Sequence, residues 1–190
     1  MEGRRDQILA AAERLLNHYG AAKTTVADIA REAGVGVGTV YLEFPSKDAI
    51  LSSLAESRHG EVLGRMREAA RRPVPFCERL RAVINARVDA FLRLSEAGAH
   101  ASEVAHCGCP GIREAYRGFQ AEERALLVSL IKEAVETGEF AASDPERAAS
   151  ALLRAYAGFS PPRLFEAPGT ARSELGDLHD LVLAGLLARR

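Results

Sequence analysis

Apolar residues recur three and four positions apart along almost the whole chain, and no other feature limits its fold as strongly. Ile8, Leu9, Ala12, Leu15, Leu16 and Tyr19 make one stripe, and Leu80, Val83, Ile84, Val88, Phe91 and Leu92 make another. A third runs from Ile112, Tyr116 and Phe119 through Leu126, Leu127, Leu130, Ile131 and Ala134. Such spacing gathers side chains on one face of a helix. A half-buried strand needs strict alternation between turn signals, which no stretch shows. The expected fold class is all-α. Hydrophobic residues are 47% and charged residues 27% of the 190, a balance that excludes disorder as the main state. No apolar run approaches the ~20 residues that cross a bilayer, and the N-terminus leads into an acid-containing amphipathic segment, not a secretory one. The protein is expected in the cytoplasm, with no membrane partner.

Capping and helix-breaking residues divide the pattern into about nine helices. A first, over residues 3–19, stops at Gly20. Thr25-Val26-Ala27-Asp28 is a capping box, whose hydroxyl and carboxylate satisfy amides at a helix start, and Gly34 closes that short helix. A third occupies 37–43 and ends before Phe44-Pro45. Ser46 is a natural N-cap for a fourth, over 47–70, which connects an N-terminal domain of residues 1–50 to a second of residues 51–190. A fifth covers 75–96, a short helix and a turn fall within 99–111, and Pro110 opens a long helix that reaches Thr137-Gly138. Asp144-Pro145 supplies an N-cap and an N1 proline for a helix over 145–159. Ser160-Pro161-Pro162 breaks it, a loop follows, and residues 173–187 form the last helix.

Residues 25–44 place two short helices around a tight turn at Gly34, the arrangement of a helix-turn-helix. Ile29, Ala30 and Ala33 give the first an apolar face, Val35 fills the turn, and Val40 anchors the second from beneath. The opposite face of the second projects Val37, Thr39 and Leu42, with Tyr41 to one side, toward a major groove wide enough for one helix. Gly36 and Gly38 leave backbone amides near its N-terminus open to a phosphate. Residues 8 to about 54 strongly resemble the tetracycline-repressor (TetR) family of bacterial transcription regulators. The resemblance lies in the first helix, Thr24-Thr25, Asp28-Ile29-Ala30, Ala33-Gly34-Val35, Gly38-Thr39-Val40-Tyr41, Phe44 and Ser46-Lys47. From about residue 55 onward only the number and placement of helices fit.

The resemblance implies a ligand-responsive, sequence-specific DNA-binding regulator. By the family default it is a repressor, released from a palindromic operator by a small-molecule inducer. It implies that Thr25 and Tyr41 contact phosphates, that Thr39 lies at the groove and that Lys47 pins the DNA backbone; Val37, Gly38 and Leu42 complete the expected contacts. The residues also allow other roles: Thr25 as a cap, Tyr41 as packing under Phe44, Lys47 as a solvated first-turn cation. A cation at that position opposes the helix dipole, which favours a phosphate partner. Leu42 can touch a thymine methyl but offers no hydrogen bond, and Glu43 either accepts from a cytosine amine or points away from phosphate. Residues 1–50 carry six basic and seven acidic side chains, and 22 of the 25 basic residues in the chain are Arg. A lone Arg therefore says little, and binding has to rest on local placement of Arg4, Arg5 and Lys47, on helix N-termini and on a dimer.

In such a family the last two helices of each subunit form a four-helix dimer interface. Here it would draw on Leu152, Tyr156, Phe159, Leu175, Leu178, Val182 and Leu186, although the same stripes also suit an intramolecular core. A twofold dimer sets its recognition helices about 34–36 Å apart, one turn of DNA. The resemblance further implies an effector cavity, with Phe91, His106, Tyr116, Phe119 and Tyr156 as candidate wall residues and an effector at least partly apolar. Aromatics at helical spacing are equally the ordinary content of a bundle. His100, His106, Cys107 and Cys109 are zinc- or copper-ligand types close together in sequence. A metal- or redox-sensing regulator is therefore the alternative, with a cysteine-dependent enzyme on the same cluster a more distant one, although Cys-x-Cys is not the usual zinc spacing. Cys107 beside His106 has no orienting partner, and no phosphate loop, nucleophile elbow or zinc-protease motif occurs. Neither an enzyme nor a cofactor is expected.

Overall fold

The computed structural model describes residues 3–96, 98, 100, 101 and 109–187, with backbone alone for 184–187. Among the described residues there is no strand and there are nine α-helices. They are α1 Arg4–Tyr19, α2 Val26–Glu32, α3 Val37–Glu43, α4 Lys47–Ala70, α5 Phe76–Glu96, α6 Pro110–Glu136, α7 Pro145–Ala155, α8 Arg163–Glu166 and α9 Ala171–Leu187. No described helix is long and apolar enough to cross a membrane. The chain divides into two compact units, Met1–Gly60 with Arg93–Phe119 and Glu61–Leu92 with Gln120–Arg190, so the division falls inside α4, α5 and α6.

The first unit is built on a core from five helices. Ile8, Ala12 and Leu16 of α1 meet Ile29 and Ala30 of α2, Val40 of α3 with the adjoining Phe44, and Ile50, Leu51, Leu54 and Ala55 of α4. Ile112 and Ala115 of α6 complete the cluster, with Cys109 packed against it. Each fully buried Leu, Ile or Phe contributes ~1.5–3 kcal/mol, enough to hold two seven-residue helices that would not persist alone. Polar ties fix the edges. Asp48 accepts the Gly111 amide at 3.1 Å, and Ser52 Oγ donates to the Gly111 carbonyl. A Cβ on Gly111 would stand 2.9 Å from the Asp48 carbonyl, so glycine permits this approach. The buried Arg58 guanidinium reaches Asn17 Oδ1 at 2.8 Å, the Ala101 carbonyl at 2.9 Å and Glu13.

In the second unit α5 buries Phe76, Leu80, Val83, Ile84, Val88 and Phe91, while α6 buries Leu127, Leu130, Ile131 and Ala134. The expected helix over 75–96 begins at Phe76, whose amide is capped by Glu139 Oε2 at 2.7 Å. The helix expected to reach residue 159 ends at Ala155. Ala157–Phe159 tightens into a 3-10 turn, and Arg87 captures the freed Phe159 carbonyl at 2.8 Å together with Ser160 Oγ. The expected loop after residue 162 contains the one-turn α8, which buries Leu164. The last helix begins at Ala171, ahead of the expected 173, because Ser173 returns its hydroxyl to the Thr170 carbonyl from within the first turn. The short helix expected within 99–111 lies largely outside the described residues.

Candidate nucleic-acid interface

The helix-turn-helix forms where its capping chemistry requires. Thr25 Oγ1 accepts the Asp28 amide at 3.2 Å and donates to Asp28 Oδ2 at 2.5 Å, while that carboxylate accepts the Thr25 amide. These bonds, with Arg31 nearby, hold the Asp28 carboxyl below the usual carboxylate range. The Thr25 hydroxyl hydrogen is thus directed at Asp28 and has to turn away to reach a phosphate. The turn depends on Gly34, at φ +67°, after which the Val35 amide bonds back to the Ala30 carbonyl at 3.0 Å.

Helix α3 buries Val40 completely and presents the rest of its apolar content to solvent: Val37 is 42% exposed, Tyr41 52% and Leu42 86%. Thr39 and Glu43 are half-buried and Gly38 is exposed. Tyr41 is thus about half open to solvent, whereas Phe44 is buried. Nothing lies within 4 Å of a Cβ placed on Gly38, so this glycine serves no internal packing need. Gly36, the N-cap, supplies no side-chain cap.

The basic residues of this unit are less available than a sequence count suggests. Lys47 Nζ donates to the Ala21 carbonyl at 2.8 Å and the Thr24 carbonyl at 3.1 Å, tying the segment before α2 to the start of α4. It is half-buried and structural as well as cationic. Arg14 pairs with Glu32 and Arg31 with Asp28. Arg5 bonds the Glu43 carbonyl and Ser53. Among the described residues of this segment, the side chains of exposed Arg4 and Lys23 take part in no hydrogen bond or ion pair. Lys23 is a candidate that spacing alone missed. It lines a hollow of about 380 Å³ with Leu15, Tyr19, Thr24, Asp28, Arg31 and Glu32.

The candidate effector residues are distributed over both units. In the first, His59 of α4 lies 5.6 Å from the Tyr116 ring and 5.2 Å from Phe119, and burial depresses its pKa to about 4. In the second, Phe91 is buried with the Arg87 guanidinium 5.5 Å from its ring centre, and Arg87 pairs with buried Glu123. Burial raises the Glu123 carboxyl above its ordinary range despite that partner. Tyr156 donates to His179 Nδ1 at 2.8 Å and His179 Nε2 donates to Asn85 Oδ1 at 3.1 Å, a chain that fixes the neutral imidazole. Burial takes His179 down to about 4 and Tyr156 up to about 12. His59, Arg87, Glu123 and His179 were not singled out from sequence. A signal existed for Arg87 and His179, polar residues on the apolar stripes of α5 and α9.

Of the expected interface residues, Leu152, Tyr156 and Leu175 are buried within the subunit, whereas Phe159, Leu178 and Val182 are half-exposed. Leu181, outside the expected set, is 74% exposed. The side chain of Leu186 lies outside the described residues, as do His106 and Cys107; His100 and Cys109 are half-buried. Among the described residues no group of three or more His, Cys, Asp or Glu side chains is placed to hold a metal ion.

Two family models match the chain: "Bacterial regulatory proteins, tetR family" over residues 8–54 and "Tetracyclin repressor-like, C-terminal domain" over residues 77–174. The fatty acid metabolism regulator protein of Bacillus subtilis is 37% identical over 79 residues, which span 42% of this chain but only 41% of that protein's length. A TetR/AcrR-family transcriptional regulator from Thermobifida fusca superposes with a TM-score of 0.75 at 27% identity, covering 98% of this chain and 99% of its own. FadR from Bacillus subtilis, in complex with stearoyl-CoA, shares the fold with a TM-score of 0.73 at 21% identity, over 95% and 98% of the two chains.

Proposed function

The chain belongs to the tetR family of bacterial regulatory proteins, and on that premise we propose that it is a homodimeric repressor that leaves a near-palindromic operator when a small molecule binds. Residues 1–50 carry the DNA contacts, and residues 51–190 carry dimerisation and the effector site. The observation that carries the reading is the face of α3. A seven-residue helix anchored by one buried valine turns Val37, Tyr41 and Leu42 to solvent. Apolar side chains on so short an exposed helix serve no core, and they suit base edges and thymine methyl groups in a major groove. Val37, Thr39 and Leu42 face the bases, and the Gly38 backbone approaches the DNA. Thr25, Tyr41 and the remaining Lys47 N–H take phosphates, with Arg4 and Lys23 as additional cations.

Two copies associate through α7 and α9, with Leu178, Leu181 and Val182 at the exposed centre. Leu152, Tyr156 and Leu175 support that face from within the subunit. The effector is at least partly apolar, and its binding favours a dimer whose heads no longer match adjacent grooves. The test is fluorescence anisotropy of the purified protein on DNA from immediately upstream of its own gene, against scrambled DNA, across a salt series. Binding about 100-fold tighter than to scrambled DNA supports the reading. Equal, weak binding to this duplex and to duplexes recovered from a randomised pool rejects it. Stearoyl-CoA, the ligand in the Bacillus subtilis FadR complex, is a suitable first effector probe, read as lost anisotropy.

A further inference from the structure

Helix α3 has little of its own to hold it. It is seven residues long, its N-cap Gly36 offers no side-chain acceptor, and its last turn contains no basic residue. A helix of this length does not persist without tertiary support, and its final carbonyls have no partner within the helix. Three contacts from one side chain meet that need. Arg5 Nη1 donates to the carbonyl of Glu43, the last residue of α3, at 3.1 Å. Its Nη2 donates to Ser53 Oγ on α4 at 3.0 Å, and the guanidinium lies 4.1 Å from the ring centre of Phe44, which caps the helix and is buried.

We propose that Arg5 is a positioning residue for the recognition helix: it ties the C-terminal end of α3 to α1 and α4, and so sets the angle at which Val37, Thr39 and Leu42 meet the bases. This rests on the reading of α3 as the element that enters the groove. The assignment differs from a phosphate contact, the ordinary role of an arginine at this edge of a DNA-binding unit. A phosphate contact uses charge alone, which lysine also supplies. The brace uses a planar fork that donates in two directions while stacking on a ring, which lysine cannot do. A cation at the C-terminal end of α3 also complements its dipole.

The experiment compares wild type with Arg5→Ala, Arg5→Lys and Ser53→Ala in two ways. Amide hydrogen exchange on the free full-length protein is expected to quicken for residues 40–44 in both Arg5 variants, and less in Ser53→Ala, with α1 and the body of α4 unchanged. Ser53→Ala keeps this readout available if an Arg5 variant fails to fold. On a duplex selected by the wild type from a randomised pool, both Arg5 variants are expected to lose about tenfold in affinity. Binding to scrambled DNA and the salt dependence should stay the same. Full rescue by Arg5→Lys, or a salt slope in Arg5→Ala shallower by ~0.9 per contact, assigns Arg5 to phosphate and overturns the brace. Unchanged exchange over 40–44 in every variant that folds also overturns it. Failure of the wild type to select any duplex counts against the DNA-binding reading, while the exchange data still decide the brace.

Discussion

His59 and His179 are both buried and held neutral, and this makes stability depend on pH in a definite direction. Burial dominates each shift; Arg58 adds to it at His59 and Arg81 at His179. In the unfolded chain each titrates near its ordinary 6.5, in the native protein near about 4. Between those values the unfolded state binds more protons, so stability is full above about pH 6.5 and falls as pH drops toward 4, by ~1.4 kcal/mol per pH unit per histidine at most. Glu123, raised by burial, acts in the opposite sense over part of this range. His59→Phe retains a ring beside Tyr116 and Phe119 and removes one titration. Urea unfolding at about pH 5 and about pH 7.5 should show a smaller acid loss in the variant; an identical loss in both proteins would falsify the assignment. Residues such as these were the least legible in the sequence. The histidines carry no motif, and only the fold brings His179 between Tyr156 and Asn85. Lys47 was visible as a cation, but not as a donor to two carbonyls that only the folded segment 21–24 supplies.

At the scale of elements, local punctuation carried most of the information. The bounds of α2, α3 and α4 follow from Thr25, Gly34, Phe44-Pro45 and Ser46, because caps and breakers act within a few residues of chain. The reading weakened at the end of α7, where the chain tightens into a 3-10 turn and a distant Arg87 bonds the Phe159 carbonyl. Two glycines in the helix-turn-helix should respond with opposite signs to the same change. Gly34→Ala forces a left-handed residue with nothing to contact, and should lower stability by ~1 kcal/mol. Gly38→Ala sits in helical backbone with open space around it, and should raise stability by up to ~1 kcal/mol while weakening operator binding. Thermal melts and anisotropy on the same samples separate the two effects. Unimpaired DNA binding by Gly38→Ala would remove that glycine from the contact surface.

For the whole molecule, family membership and the all-helical class were readable from the first fifty residues and the helical period, whereas the split between core and surface in the C-terminal helices was not. Periodicity finds an apolar face; it does not say whether the face is covered by the same chain or by another. Leu175 is 2% exposed and Leu181 is 74% exposed on one helix. A charge at Leu175 would disrupt the core, so Leu178→Glu with Leu181→Glu is the fitting pair. Light scattering should report monomers with a retained helical spectrum, and operator affinity should fall steeply because few phosphates are reached per subunit. A dimer mass unchanged by both substitutions would locate the interface elsewhere.

Ile112 and Ala115 sit in the same apolar cluster as the helix-turn-helix, and Gly111 is seated on Asp48. A hybrid sensor would join the DNA specificity of one such regulator to the ligand response of another. In this chain a single junction after α4 would carry the reading head away without part of its own interior. A working hybrid has to transplant two separate stretches, Met1–Gly60 and Arg93–Phe119, so the boundary an engineer respects is discontinuous along the gene.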